Sequence, residues 1–166
     1  MKRSGEKVQK LLCHCILALG LVSAAAAPLM AADQDGVAAM LDQQKIKYEV
    51  DKDKDYKIIY DFSEEKRSQI VYISGATEDY QGMKIRTIFA PAVRLDKDRI
   101  EGQFKSLLEH NGKSKIGAWE IDGDVLFFSA RVVEPITAEE LAAMLNLVAS
   151  VADDKEIEVS GKLDEL

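Results

Sequence analysis

The sequence predicts an α+β domain, an antiparallel sheet with helices in the order α-β-β-β-β-α-β-β-α. Three observations lead there. Two apolar runs flank Asp122-Gly123 between Ile116 and Ser129, and Asp-Gly between alternating apolar residues is a strong hairpin signal. Stretches with apolar residues three and four apart lie on both sides of that hairpin, as amphipathic helices require. Upstream, between Ile46 and Ala90, four strand-like runs are separated by turn residues.

In chain order, residues 1–32 stand outside the fold. Lys2, Arg3, Lys7 and Lys10 precede an apolar run from Leu11 to Val22, and alanines follow. This is the layout of a secretory signal peptide, with cleavage expected within 26–32 and a periplasmic or secreted product. Cys13 and Cys15 both lie in this segment, so the mature chain has no thiol and no disulfide. Its loss also changes the charge. The segment holds four basic residues and one acidic, so the formal charge moves from −7 to about −10. Such an acidic surface argues against nucleic acid and anionic membranes as partners.

The domain is expected over 33–153. Asp35 can cap a short helix with Val37, Met40 and Leu41 turned inward. Ile46–Val50 and Lys57–Phe62 read as strands joined by Asp51-Lys52-Asp53-Lys54-Asp55. The aspartates begin like an EF-hand loop, but Tyr56 stands where glycine is needed and Phe62 where a bidentate glutamate is needed. A solvated hairpin turn follows. Ser68–Ser74 and Met83–Ala90 are the next strands, with a turn-rich linker between them and Pro91 as a stop. Asp96 or Asp98 can cap a helix carrying Ile100, Phe104, Leu107 and Leu108 on one stripe, ended by Asn111-Gly112.

The hairpin turn centred on Asp122-Gly123 pairs Trp119 with Leu126 and Gly117 with Phe128, on the face expected to be core. The opposite face carries Ile116, Ala118, Val125 and Phe127, with Glu120 and Ser129. Those four apolar residues form the candidate partner-binding or dimer face, because such a patch is not left bare to water. Thr137-Ala138-Glu139-Glu140 is a capping box that opens the last helix, which is expected to end near Asp153 before a charged tail over 154–166.

Several of these segments resemble the YbjN-like family of bacterial sensory-transduction regulators. Met40-Leu41 with Ile46–Val50 looks like the family's first helix and strand. Leu107-Leu108-Glu109-His110-Asn111 and Ile116–Leu126 look like its middle helix and hairpin, and Ile136–Leu141 like the start of its last helix. The resemblance implies a type III secretion chaperone-like fold and a non-enzymatic, often dimeric, protein-binding module. The expected export segment sets this chain apart from the cytoplasmic secretion chaperones.

Chemistry is sparse. His110 is the only histidine beyond residue 32, and no phosphate loop or nucleophile elbow is present. No catalytic residue, cofactor or metal ligand is assigned. The expected partner is a protein or peptide, or a second copy of the chain. The alternatives are a small-ligand carrier with a pocket between sheet and helices, and a carboxylate-dependent hydrolase.

Overall fold

The computed structural model describes residues 36–62, 67–95, 100 and 102–161. The expected targeting segment, the Asp35, Asp96 and Asp98 caps and the last five residues of the tail lie outside them. The elements are α1 (Val37–Gln43), β1 (Glu49–Val50), β2 (Tyr56–Phe62), β3 (Arg67–Ile73), β4 (Glu78–Tyr80), β5 (Met83–Arg94), α2 (Phe104–Lys113), β6 (Ala118–Asp122), β7 (Val125–Glu134) and α3 (Ala138–Ser160). The expected α+β order holds, and the short strand β4 adds a seventh within the Gly75–Gly82 linker.

All strand pairs are antiparallel, in the order β1-β2-β3-β5-β7-β6. β5 is the spine. One edge pairs with β7 from Lys84 to Arg94, and the other takes β4 and then β3. The strand does not stop at Pro91. The register shifts between Pro91 and Val93, and at such a bulge the missing N–H of proline breaks no ladder bond. The Pro91 carbonyl instead accepts from Gln69 Nε2 at 2.8 Å.

β1 is shorter than expected because Ile46 serves α1. Its N–H donates to the Leu41 carbonyl at 2.9 Å, and Ile46 and Tyr48 pack against the core. Only Glu49 and Val50 remain to pair with β2.

The β6–β7 hairpin keeps the expected faces but not the expected register. Trp119 pairs with Phe128, and Ile121 with Leu126. The two-residue loop is Gly123-Asp124, and of these Gly123 alone has a positive φ, 57°. That is the pattern of a type II′ turn, whose first central residue is glycine, rather than type I′. The shift moves each partner by two positions, so the pleat carries the same side chains to the core. Trp119 and Phe128 meet edge-to-face at 5.1 Å. Gly117, at φ 80°, makes the room, for a Cβ there would lie 2.6 Å from Phe128 Cζ.

The three helices bury one face of the sheet. Val71, Ile73, Ile88, Ala90, Leu126, Phe128 and Ala130 meet Leu141, Leu145, Val148, Ala149 and Ala152 of α3 in one core. α1 packs Val37 and Leu41 into it beside α3. α2 begins at Phe104 and buries Leu107, while Phe104 and Leu108 stay exposed, so the expected stripe is only half used. Gly112 does not end α2. Asn111 instead reaches β6, where its amide accepts from the Trp119 N–H at 2.7 Å and donates to the Trp119 carbonyl at 3.1 Å.

The Thr137 capping box forms as expected, with Glu140 N–H donating to Thr137 Oγ1 at 3.2 Å and Thr137 N–H to Glu140 Oε2 at 2.9 Å. α3 does not fray after Asp153. It continues to Ser160 because Arg67 on β3 donates to Asp153 Oδ1 at 2.8 Å and to Glu156 Oε2 at 2.7 Å, all three buried. A second buried arginine, Arg86, donates to Glu134 Oε1 at 2.5 Å and to the Ser74 carbonyl. Among the described residues, no helix is long and apolar enough to cross a membrane.

Two stability predictions follow from this packing. Gly117→Ala is expected to lower unfolding free energy by ~2–4 kcal/mol, from left-handed strain plus the clash with Phe128. Urea unfolding checks it, and an unchanged midpoint would mean the Phe128 ring is not seated there. Arg67→Ala leaves Asp153 and Glu156 buried without their cation, a change that typically costs about 3–5 kcal/mol. Hydrogen exchange should then show the last two turns of α3 losing protection first.

Candidate functional site

The sheet face turned away from the helices gathers half-buried apolar groups. Alternation decides its membership. With Ile88 and Ala90 on the core side, Phe89 and Pro91 point the other way, and so do Ile70 and Tyr72 of β3 and Val125 and Phe127 of β7. The strand order then sets them side by side. Tyr72 pairs with Phe89, and their rings stack at 5.2 Å with 15° between planes. Phe89 meets Phe127 edge-to-face at 5.9 Å. Both arrangements are favoured by the ring quadrupoles.

These side chains line a cavity of about 570 Å³, formed by Ile70, Tyr72, Phe89, Pro91, Val125 and Phe127 together with Asp51, Asp53, Asp55 and Arg94. The aspartates come from the β1–β2 turn. Asp51 Oδ1 accepts from the N–H groups of Asp53 at 2.9 Å and Asp55 at 3.0 Å, and Asp55 Oδ1 accepts from Gly75 N–H at 2.9 Å. The carboxylates therefore close the turn and tie it to the end of β3. Among the described residues, no group of three or more His, Cys, Asp or Glu side chains comes together as a metal site. Arg94 lies at the opposite end of the strip. It pairs with Val125 at the hairpin end, whereas Tyr56, next to the acidic turn, is level with Ile73 and so with Ile88.

Of the four residues picked from sequence, Val125 and Phe127 line this cavity. Ala118 lies on the same face of β6, opposite Ser129, and beyond it Glu120 pairs with Arg131 at 2.5 and 3.2 Å. These bonds hold the Arg131 guanidinium above its ordinary pKa, and the pair forms a polar rim. Ile116 stands outside β6. The positive φ of Gly117 breaks the extended run, and the Ile116 carbonyl accepts from Ser114 Oγ at 2.7 Å. Sequence reading missed Ile70, Tyr72, Phe89 and Arg94 as members. Their period-two alternation was visible, but which strand lies beside β7 was not.

Two other cavities are built differently. One of about 740 Å³ lies where the α1–β1 connection leaves β2, lined by Lys45, Lys47, Tyr48, Lys57 and Ile59 among others. One of about 400 Å³ lies between α2 and α3 over Trp119, with His110, Lys155 and Glu158. Trp119 Nε1 is buried there with no hydrogen-bond partner among the described residues, and the Lys155 ammonium sits 5.9 Å from the indole centroid.

Half-buried rings on a sheet face suit an apolar partner surface. A double-mutant cycle on Glu120 and Arg131 should give a coupling of only ~0.2–1 kcal/mol, since the pair is solvated. A much larger coupling would mark that end of the face as desolvated.

The sequence model of the YbjN family, described as "Putative bacterial sensory transduction regulator", matches residues 33–155. Among the described elements that span takes in α1 to β7 whole and α3 as far as residue 155. No curated protein matches the chain. The chain belongs to the YbjN family.

Proposed function

We propose that this YbjN-family domain is a non-enzymatic, regulator-like module that binds a protein or peptide on the helix-free face of its sheet, and that it acts after export. The observation that carries the binding face is the strip Ile70, Tyr72, Phe89, Val125 and Phe127, which the helices do not cover. α1, α2 and α3 pack into the core on the other side, so none of them occupies it. Association through such a strip is driven by removing apolar area from water, at about 25 cal/mol per Å² buried. The family description as a regulator of sensory transduction agrees with a partner-binding role. Export rests on the basic, apolar and alanine-rich layout of residues 1–32.

Phe127→Glu tests the face. Phe127 is only part-buried, so the variant is expected to fold, with its circular dichroism unchanged. Quantitative affinity capture from periplasmic extract should retain proteins on the wild type that the variant loses. Equal recovery on both would remove the face from the function. Intact mass of the exported protein tests the location, with a mature N-terminus expected between Ala27 and Asp33. A full-length product held in the inner membrane would overturn it.

A further inference from the structure

We infer that the segment received by the helix-free face is a polypeptide stretch in which a lysine or arginine flanks one or more large apolar side chains. This rests on the binding face proposed above and adds the chemistry of its occupant. The apolar strip makes the site, and the charges at its two ends select what enters it.

Three carboxylates, Asp51, Asp53 and Asp55, line one end of the cavity against a single cation, Arg94, at the other. The acidic end is held in place, since Asp51 and Asp55 each use Oδ1 to receive backbone N–H groups. Their Oδ2 atoms accept no hydrogen bond among the described residues. The Lys52–Asp53 contact, at 3.9 Å with both side chains largely in solvent, does little to neutralise Asp53. A cation arriving at this end meets preset carboxylates whose ordering cost falls on folding rather than on binding. The formal charge, −7 for the full chain and about −10 without residues 1–32, adds long-range attraction for a basic partner.

A second copy of the chain is the other simple occupant, but from this cavity it brings no cation besides Arg94, whereas a basic, apolar segment brings one to the acidic end directly. Arg94 gives the groove polarity, so a carboxylate on the far side of the apolar residues completes the match.

Three fluorescein-labelled peptides of equal length test this, each with a Phe-Ile-Phe centre and flanked on one side by lysines, serines or glutamates. Anisotropy titration of the wild-type protein should show the lysine peptide binding roughly tenfold tighter than the glutamate peptide, with the gap narrowing as salt rises. Asp53→Lys should cancel or reverse that preference. If all three bind alike and Phe127→Glu abolishes them together, the apolar face stands and the inference about its occupant is overturned. If none binds, the inference is also overturned. Light scattering then identifies a second copy as the occupant where wild type is dimeric and Phe127→Glu monomeric.

Discussion

The approach of α3 to the middle of the sheet is the contact on which the rest depends. A strand has two faces, and β5, paired along both edges, packs one of them against this helix. The residues that meet there are small on both sides. Ala90, Ala92 and Ala130 of the sheet and Ala149 and Ala152 of the helix are all fully buried. Small side chains let backbones close in, and larger ones at the margins, Leu141, Leu145, Ile73, Ile88 and Phe128, fill the space around them at interior density. With α3 seated, α1 and α2 have only the flanks of the same face to cover, and the rings of Tyr72, Phe89 and Phe127 are left on the other side.

Two buried arginines extend that contact beyond what apolar area achieves. Arg67 fastens the C-terminal half of α3 to the start of β3 through Asp153 and Glu156, and Arg86 joins β5 to Glu134 at the end of β7 and to the Ser74 carbonyl after β3. Charges at this depth are tolerated only when paired and hydrogen-bonded. They do not add to stability so much as fix orientation, because Arg67 is fully paired only where it reaches Asp153 and Glu156 together. This bears on function, since the same β3 that receives Arg67's partners on one face presents Ile70 and Tyr72 on the other.

Much of this could be read from the chain, and the failures have local causes. Period-two alternation correctly sorted Trp119, Leu126 and Phe128 from Val125 and Phe127, even though the hairpin register differs by two, because a shift of two preserves the pleat. The capping box at Thr137 was legible because it is spelled out within four residues. The end of α3 was not. Asp153 and Glu156 look like the start of a charged tail, and the arginine that buries them lies 86 and 89 residues away in the sequence. The apolar strip on the helix-free face was half visible for the same reason. Val125 and Phe127 follow from one hairpin, whereas Tyr72 and Phe89 join them only through the strand order β3-β5-β7, which no local pattern encodes.

The amide of Asn111 has a consequence for how copies of this sheet can meet. By taking both the N–H and the carbonyl of Trp119, it occupies the outer side of β6 as a neighbouring strand would. At the far side of the sheet β1 covers only Tyr56 and Lys57, so among the described residues Ile58 to Phe62 have no strand beyond them. The sheet thus has one stoppered border and one open border. Fibrillar growth needs each subunit to be adhesive at two opposite borders, whereas a subunit adhesive at one can only pair off. An edge-to-edge contact would therefore use the open border at Ile58–Phe62, while the Asn111 amide works against continuing the sheet at the other.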